Sequence, residues 1–139
     1  MTILGEILLI CDDQQFLAQI KERIMQLGDY SVTAVSDLQS ALGSLRQNIY
    51  DLIIIKQPLA EVRTNYLIAE LRGIDPDSVI VVLLEAGDQG GIRELMNSGA
   101  YEALVSPLNT DNLKFTIDKG IKLHILLKAF PAVVRKVPG

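Results

Sequence analysis

Short apolar runs alternate along the chain with segments whose apolar residues recur at helical spacing. Five apolar runs occur, at residues 6–11, 30–35, 51–55, 78–84 and 101–105. Runs of this length are typical of strands in parallel sheets, because both faces of such a strand are buried. The pattern therefore predicts five buried strands.

The segments between the runs carry apolar residues three and four positions apart, which is typical of amphipathic helices. Ser36 and Gln39 have the spacing of a capping box, which predicts a helix start at Ser36. The predicted helices begin near Gln14, Ser36, Thr64, Asp88 and Asp111, and the last one runs towards Phe130. Five alternations with short connections predict an α/β fold, in which a five-stranded parallel sheet carries helices on both faces.

The length and composition are those of a single globular domain. The chain has 139 residues, of which 49% are hydrophobic and 22% are charged. We expect the domain to span residues 1–130, with a tail or linker at 131–139. The single cysteine, Cys11, excludes an internal disulfide and fits a reducing compartment. No apolar run reaches the roughly 18 residues of a membrane span, so we expect a cytoplasmic protein.

Charge is distributed unevenly. Residues 1–111 hold 7 Lys/Arg against 16 Asp/Glu, a net −9, whereas residues 112–139 hold 6 against 1, a net +5. We interpret the basic end as a solvated helix and linker in preference to a surface for an acidic partner, a membrane or nucleic acid. No helix-turn-helix pattern follows residue 111, so no DNA-binding segment is predicted.

Candidate chemistry lies where the predicted strands end. In an open parallel sheet, sites form at the carboxyl ends of the strands. The residues there are Cys11, Asp12 and Asp13, Lys56, Leu84 and Glu85, and Ser106. The adjacent acids suit a hard cation held through oxygen, or they begin a helix whose dipole favours negative charge. Spacing alone leaves both interpretations open.

Four segments resemble the receiver domain of two-component response regulators. These are residues 8–13 with the acid pair, 50–55, 83–88 and 99–107, and the resemblance covers about residues 5–127. It implies a flavodoxin-like (βα)5 doubly wound fold with strand order 2-1-3-4-5. It also implies a cis bond between Ser106 and Pro107.

The resemblance assigns roles to the strand ends. Receivers bind Mg²⁺ through an acid pair, which is retained as Asp12 and Asp13. They place a phosphoacceptor aspartate after the third strand, a hydroxyl after the fourth and a lysine after the fifth. Those positions are Lys56, Leu84 and Ser106 in this chain.

These departures predict a degenerate pocket. The ammonium of Lys56 is not a carboxylate nucleophile and repels Mg²⁺. Leu84 has no hydroxyl to contact a phosphoryl group, and Ser106 has no positive charge to offset it. We therefore expect no enzyme activity, no cofactor, and Mg²⁺ binding that is lost or weak.

Two functions follow from the degenerate pocket. The first is a phosphorylation-independent interaction module of signal transduction, in which Lys56 pairs with Asp12 or Asp13; the alternative for Lys56 is a side chain in solvent. The second is a small-ligand sensor, which needs an apolar pocket near Leu84, Ala103 and Ser106. A phosphate-binding enzyme is disfavoured because the loop after the first strand lacks glycine.

The last helix is apolar on nearly every side, more than one sheet face requires. We predict an interaction surface for a signalling protein or a downstream effector domain, and a homodimer through the same helix is a second expectation. The predicted surface consists of Ile121, Ile125, Leu126 and Phe130. His124, the only histidine, is expected on the helix surface, and Cys11 is expected as a small buried residue.

Overall fold

Five strands form one parallel sheet in this computed structural model, which describes residues 4–130. The strands are β1 (Gly5–Ile10), β2 (Tyr30–Val35), β3 (Leu52–Lys56), β4 (Ile80–Leu84) and β5 (Glu102–Val105). They lie in the order β2-β1-β3-β4-β5, and every neighbouring pair is parallel. The predicted sheet and its strand order are confirmed. The predicted tail, 131–139, lies outside the described residues.

A helix follows each strand. The helices are α1 (Gln14–Leu27), α2 (Leu38–Gln47), α3 (Thr64–Ile74), α4 (Ile92–Ser98) and α5 (Thr110–Ala129). Between residues 4 and 130, none is long and apolar enough to cross a membrane.

Two helix starts differ from the sequence prediction. Asp37, not Ser36, caps α2, and its carboxylate accepts from the backbone N–H of Ser40 at 2.7 Å. The segment after Asp88 begins with a 3₁₀ turn at Gln89–Gly91 instead of an α-helix. Two consecutive glycines weaken an α-helical first turn, because glycine loses more backbone freedom than other residues when it is ordered.

Alternate residues of each strand enter two separate cores. On one face of the sheet, Leu8, Ile53 and Val82 pack in a buried cluster with residues of α2, α3 and α4. On the other face, Leu9 and Ile54 pack with residues of α1 and α5. This arrangement explains the continuous apolar runs, because each strand is covered on both sides.

The long helix α5 approaches the sheet closely at Gly120. A Cβ atom built there would lie 2.7 Å from Cδ1 of Leu52, closer than packed atoms tolerate. Glycine at this position therefore lets α5 lie against β3.

A second glycine ends α4. Gly99, at the C-terminus of that helix, has a φ of 115° and adopts left-handed geometry, as glycine does at many helix C-termini.

Candidate functional site

The acid pair after β1 is already engaged by backbone donors. Asp13 caps α1, and its Oδ1 accepts from the N–H groups of Gln15 and Phe16 at 3.1 Å each. Asp12 reaches across to the loop after β3, where its Oδ2 accepts from the N–H of Ala60 at 2.6 Å. One acid therefore begins a helix, and the other holds a neighbouring loop.

Lys56, the last residue of β3, is buried at 6% exposure. Its Nζ donates to Oε1 of Glu85 at 2.6 Å and to the carbonyl of Gln57 at 2.6 Å. It also lies 5.1 Å from the ring centroid of Phe16, within cation–π range. Lys56 pairs with neither Asp12 nor Asp13, so the predicted pairing is wrong, and so is the alternative of a side chain in solvent.

The register of the sheet explains why Glu85 is the partner. Lys56 lies opposite Leu83 in the β3–β4 ladder, so the chain that continues past Leu84 passes the ammonium at the same edge. The ion pair thereby links the end of β3 to the loop between β4 and α4. The sequence places Glu85 at this edge, directly after a predicted strand, but its role as the partner of Lys56 was not predicted.

Leu84 and Ser106 contribute packing and backbone contacts to this edge. Leu84 has no exposed surface and belongs to the core beneath α2, α3 and α4. Ser106 is half-buried, and its N–H donates to the carbonyl of Leu84 at 2.8 Å. The bond between Ser106 and Pro107 is cis, as predicted.

Two grooves border the site. One of about 620 Å³ lies between residues 57–65, which include the first turn of α3, and α4. Another of about 280 Å³ lies between Asp12 and Asp37. Neither is lined by Leu84, Ala103 or Ser106, the residues on which the ligand-sensor alternative depends.

Cys11 is fully buried beside the acid pair. Burial is the main cause that raises the pKa of its thiol above the ordinary value. The hydrogen bond to the backbone of Asp13 opposes this rise, the carboxylates of Asp13 and Asp12 add to it, and Lys56 opposes it. Its Sγ donates to the carbonyl of Asp13 at 3.4 Å. The prediction of a small buried residue is confirmed, since a raised pKa leaves little thiolate to react.

The donor set at this edge fits a magnesium ion poorly. Across residues 4–130, no group of three or more His, Cys, Asp or Glu side chains is placed to hold a metal ion. Asp12 and Asp13 supply carboxylates, but each already accepts a backbone hydrogen bond. The third strand end supplies an ammonium, which repels a cation.

The predicted interaction surface on α5 divides between two faces. Ile125, Leu126 and Phe130 are exposed at 53%, 49% and 57%. Ile121 is buried at 5% exposure and packs in the core beneath α1 and α5, so its assignment to the surface is wrong. Phe115, exposed at 61%, is a surface residue that sequence analysis did not assign.

His124 is also inside the domain, at 2% exposure, so its prediction as a surface residue is wrong. Its Nδ1 lies 3.2 Å from Oδ1 of Asp51, the residue before β3. The Oδ2 of Asp51 accepts from the N–H of Glu6 at 2.8 Å. The histidine follows Ile117 and Ile121 on the helix face that lies against the sheet, and Asp51 supplies a polar partner there.

A family model and individual known proteins that resemble this chain point to the same family. Residues 8–118 match the family model of the response regulator receiver domain. Transcriptional regulatory protein ZraR of Escherichia coli O157:H7 is 24% identical over 127 residues, which cover 91% of this chain and 29% of ZraR. The chain thus spans less than a third of the length of this relative.

Two solved structures have nearly the same fold. A response regulator receiver domain protein from Clostridium thermocellum has a TM-score of 0.81 at 25% identity, covering 88% of this chain and 98% of that one. A structure described as adenylate cyclase from Rhodopirellula baltica has a TM-score of 0.82 at 25% identity, covering 95% of this chain and 98% of that one.

Proposed function

Because this chain belongs to the response regulator receiver domain family, we propose that it is an atypical member that binds signalling partners without a phosphorylation switch. The observation that carries the proposal is the buried ammonium of Lys56, which stands at the end of β3 and pairs with Glu85 at 2.6 Å. The family carries its phosphoacceptor aspartate at that strand end. An ammonium has no lone pair with which to attack a phosphoryl group.

The ion pair also replaces a contact that phosphorylation makes in other receivers, between the ends of the third and fourth strands. In receivers, a phosphoryl group on the third strand is contacted by a hydroxyl at the end of the fourth. Lys56 and Glu85 connect the same two strand ends without any phosphate. The domain therefore rests in one arrangement of this edge, and its partners recognise that arrangement at all times.

Weak or absent Mg²⁺ binding belongs to the same proposal. A cation at the acid pair competes with backbone N–H groups that already bind one oxygen of each carboxylate, and it meets the charge of Lys56. Mg²⁺ needs near-ideal octahedral geometry and gives up its water reluctantly. A non-enzymatic role follows, since neither the phosphoryl acceptor nor its metal is supplied.

The partner is a cytoplasmic signalling protein or a downstream effector domain. The surface proposed for it is the outward side of the end of α5, where Ile125, Leu126 and the C-cap residue Phe130 are exposed. Large apolar side chains grouped on one helix face commonly mark a contact surface.

The test is a phosphodonor challenge followed by NMR. Mg²⁺ with acetyl phosphate, and separately with beryllofluoride, is added to the ¹⁵N-labelled protein. We expect the amide peaks of residues 12, 56, 85 and 106 to stay in place and the intact mass to be unchanged. A receiver that carries aspartate at the end of its third strand verifies the reagents. Saturable shifts of those peaks, or a phosphorylated mass, would overturn the proposal.

A further inference from the structure

The outer face of α5 carries a straight row of side chains. Phe115, Lys119, Lys122 and Leu126 follow one another at intervals of four, three and four residues, which places them on one face of the helix. Phe130 follows after four more residues as the C-cap, just beyond the last helical residue, and all five side chains are exposed. The helical part of this α5 stripe, from Phe115 to Leu126, runs for about 16 Å at the rise of an α-helix.

The stripe is apolar at its ends and cationic in the middle. Lys119 lies over two aromatic rings, with its Nζ 5.1 Å from the ring centroid of Phe115 and 5.6 Å from that of Tyr101. Lys122 projects from the next turn and is exposed. Any partner that covers the apolar ends therefore also covers two ammonium groups, and burying an unpaired charge is costly.

These two lysines differ from the others on α5. Lys114 pairs with Asp118 at 3.1 Å, and Lys128 pairs with two aspartates that precede β4. Neither lysine of the stripe forms an ion pair with any residue between 4 and 130. The flanking charges are therefore neutralised within the domain, whereas no carboxylate of residues 4–130 neutralises the central pair.

Self-association through the stripe is electrostatically unfavourable. In a symmetric dimer the same surface appears on both copies. If two α5 helices lie parallel, each central lysine meets its own copy. If they lie antiparallel about the middle of the stripe, Lys122 again meets Lys122. Both arrangements place like charges together, which suppresses the pairing.

Given the proposed interaction role of α5, we propose that its partner is an amphipathic helix of another protein, with apolar residues at both ends of its contact row and carboxylates in the middle. A row at intervals of three and four residues matches the side-chain row of a second helix packed alongside. Carboxylates in that row supply charge-assisted hydrogen bonds to Lys119 and Lys122. An anionic membrane is disfavoured, because residues 1–111 carry a net −9.

The test uses two synthetic helical peptides of equal length. The acidic peptide carries Leu-Glu-Glu-Leu at intervals of four, three and four, and the basic peptide has Lys in place of both Glu. ¹⁵N NMR titration measures binding, and we expect the acidic peptide to shift the amides of residues 115–130 and to bind at least about tenfold more tightly than the basic one. Equal binding of the two peptides, or shifts confined to other elements, would refute the proposal.

A charge-reversed variant sharpens the test. Lys119→Glu/Lys122→Glu is expected to exchange the preference, so that the basic peptide binds more tightly. Arg46→Glu/Arg63→Glu changes net charge equally at exposed positions outside α5 and should keep the wild-type preference. Circular dichroism establishes that both variants are folded. The proposal fails if the reversed variant still prefers the acidic peptide.

Two further measurements separate the rival occupants. A wild-type dimer in sedimentation that Phe115→Ser dissolves would show that a second copy binds the stripe. Co-sedimentation with phosphatidylglycerol vesicles that the charge-reversed variant loses would show a lipid surface. Either result overturns the inference about the partner but not the phosphorylation-independent role. That role is tested separately, because the phosphodonor challenge measures changes at Lys56 and not on α5.

Discussion

Lys56 and Glu85 are unequal members of their ion pair. The Lys56 side chain is 8% exposed, whereas that of Glu85 is 55% exposed. Loss of the carboxylate therefore leaves a buried ammonium with one carbonyl and one ring, while loss of the ammonium leaves a carboxylate that water can solvate. Breaking a pair is most costly when the remaining charge is buried.

We therefore expect Glu85→Gln to destabilise the domain more than Lys56→Met does. The expected losses in the free energy of unfolding are about 1–3 kcal/mol for Glu85→Gln and under about 1 kcal/mol for Lys56→Met, because a buried ion can often be replaced by an apolar side chain at little cost. Urea denaturation measures both, and the double variant gives the coupling between them. A larger loss for Lys56→Met would mean that the ammonium is not held chiefly by Glu85.

At the scale of single residues, the sequence identified which residues lie at the strand ends but not which side chains they contact. Asp12, Asp13 and Lys56 do lie at one edge of the sheet, because parallel strands end together. The partner of Lys56 could not be inferred, because it depends on where two loops run. Asp13 is engaged at the start of α1 and Asp12 at the loop after β3, which leaves Glu85 to meet the ammonium.

At the scale of the element, the last two turns of α5 are attached to the amino-terminal edge of the sheet. His124 contacts Asp51, and one turn later Lys128 contacts Asp75 at 3.2 Å and Asp77 at 3.4 Å. In the second attachment the Lys128 side chain is 42% accessible, whereas those of Asp75 and Asp77 are 15% and 12% accessible. Ion pairs that water reaches contribute up to about 1 kcal/mol, and the partial burial of these carboxylates puts this contact at the upper end of that range.

Lys128→Ala should increase amide hydrogen exchange in residues 126–130 and lower the free energy of unfolding by about 1 kcal/mol. Lys122→Ala is the matched control, since it removes a lysine of the same helix that has no ion pair with residues 4–130. Hydrogen exchange read by NMR compares the two. Equal protection in both variants would show that the contact with the aspartates does not order the helix end.

The helix itself was predictable, but its buried face was not. The helical spacing of the apolar residues and the length of the segment predicted a helix from about residue 111 to 130, and the structure has α5 at Thr110–Ala129. Because apolar residues occur on both faces, the sequence pattern could not decide which row meets the sheet. Packing against β1 and β3 buries Ile121 and His124, and it leaves Leu126 outside.

At the scale of the whole molecule, a polar cluster connects the edge strand β2 to α5. Tyr30 donates its phenol proton to Asp118, and Lys114 donates to the phenol oxygen at 3.3 Å. Burial, and next the bond to Asp118, raise the pKa of Tyr30 above its ordinary value of 10.0. The pKa of Lys114 is raised as well, mainly by its hydrogen bond to Asp118.

These shifts predict a loss of stability in alkali. The folded state holds the Tyr30 proton more tightly than the unfolded chain does, so the contribution is complete below pH 10.0 and is lost as the pH rises through the raised folded pKa. We expect Tyr30→Phe to cost about 1 kcal/mol near neutral pH and to cost less above pH 10. Denaturant unfolding across this range measures the difference, and a gap that widens with pH would contradict the sign.

The overall architecture was the most predictable level, because it depends on many residues at once. Five apolar runs and their intervening helices determine an α/β sheet even where single caps, such as that of α2, are displaced by one residue. Strand order came from the family resemblance, since alternation alone permits several orders. The division into two cores then follows from the two-residue period of a strand.

The buried position of Lys56 also bears on how such a domain can evolve. Aspartate in place of Lys56 would put a second carboxylate where that of Glu85 already points, while Leu84 still has no hydroxyl and Ser106 no positive charge for a phosphoryl group. Under the proposed function, this single substitution removes the stabilising pair before any phosphoacceptor site is complete. Several coordinated substitutions would be needed to build a phosphorylation switch, whereas single substitutions suffice to alter a surface that binds a partner.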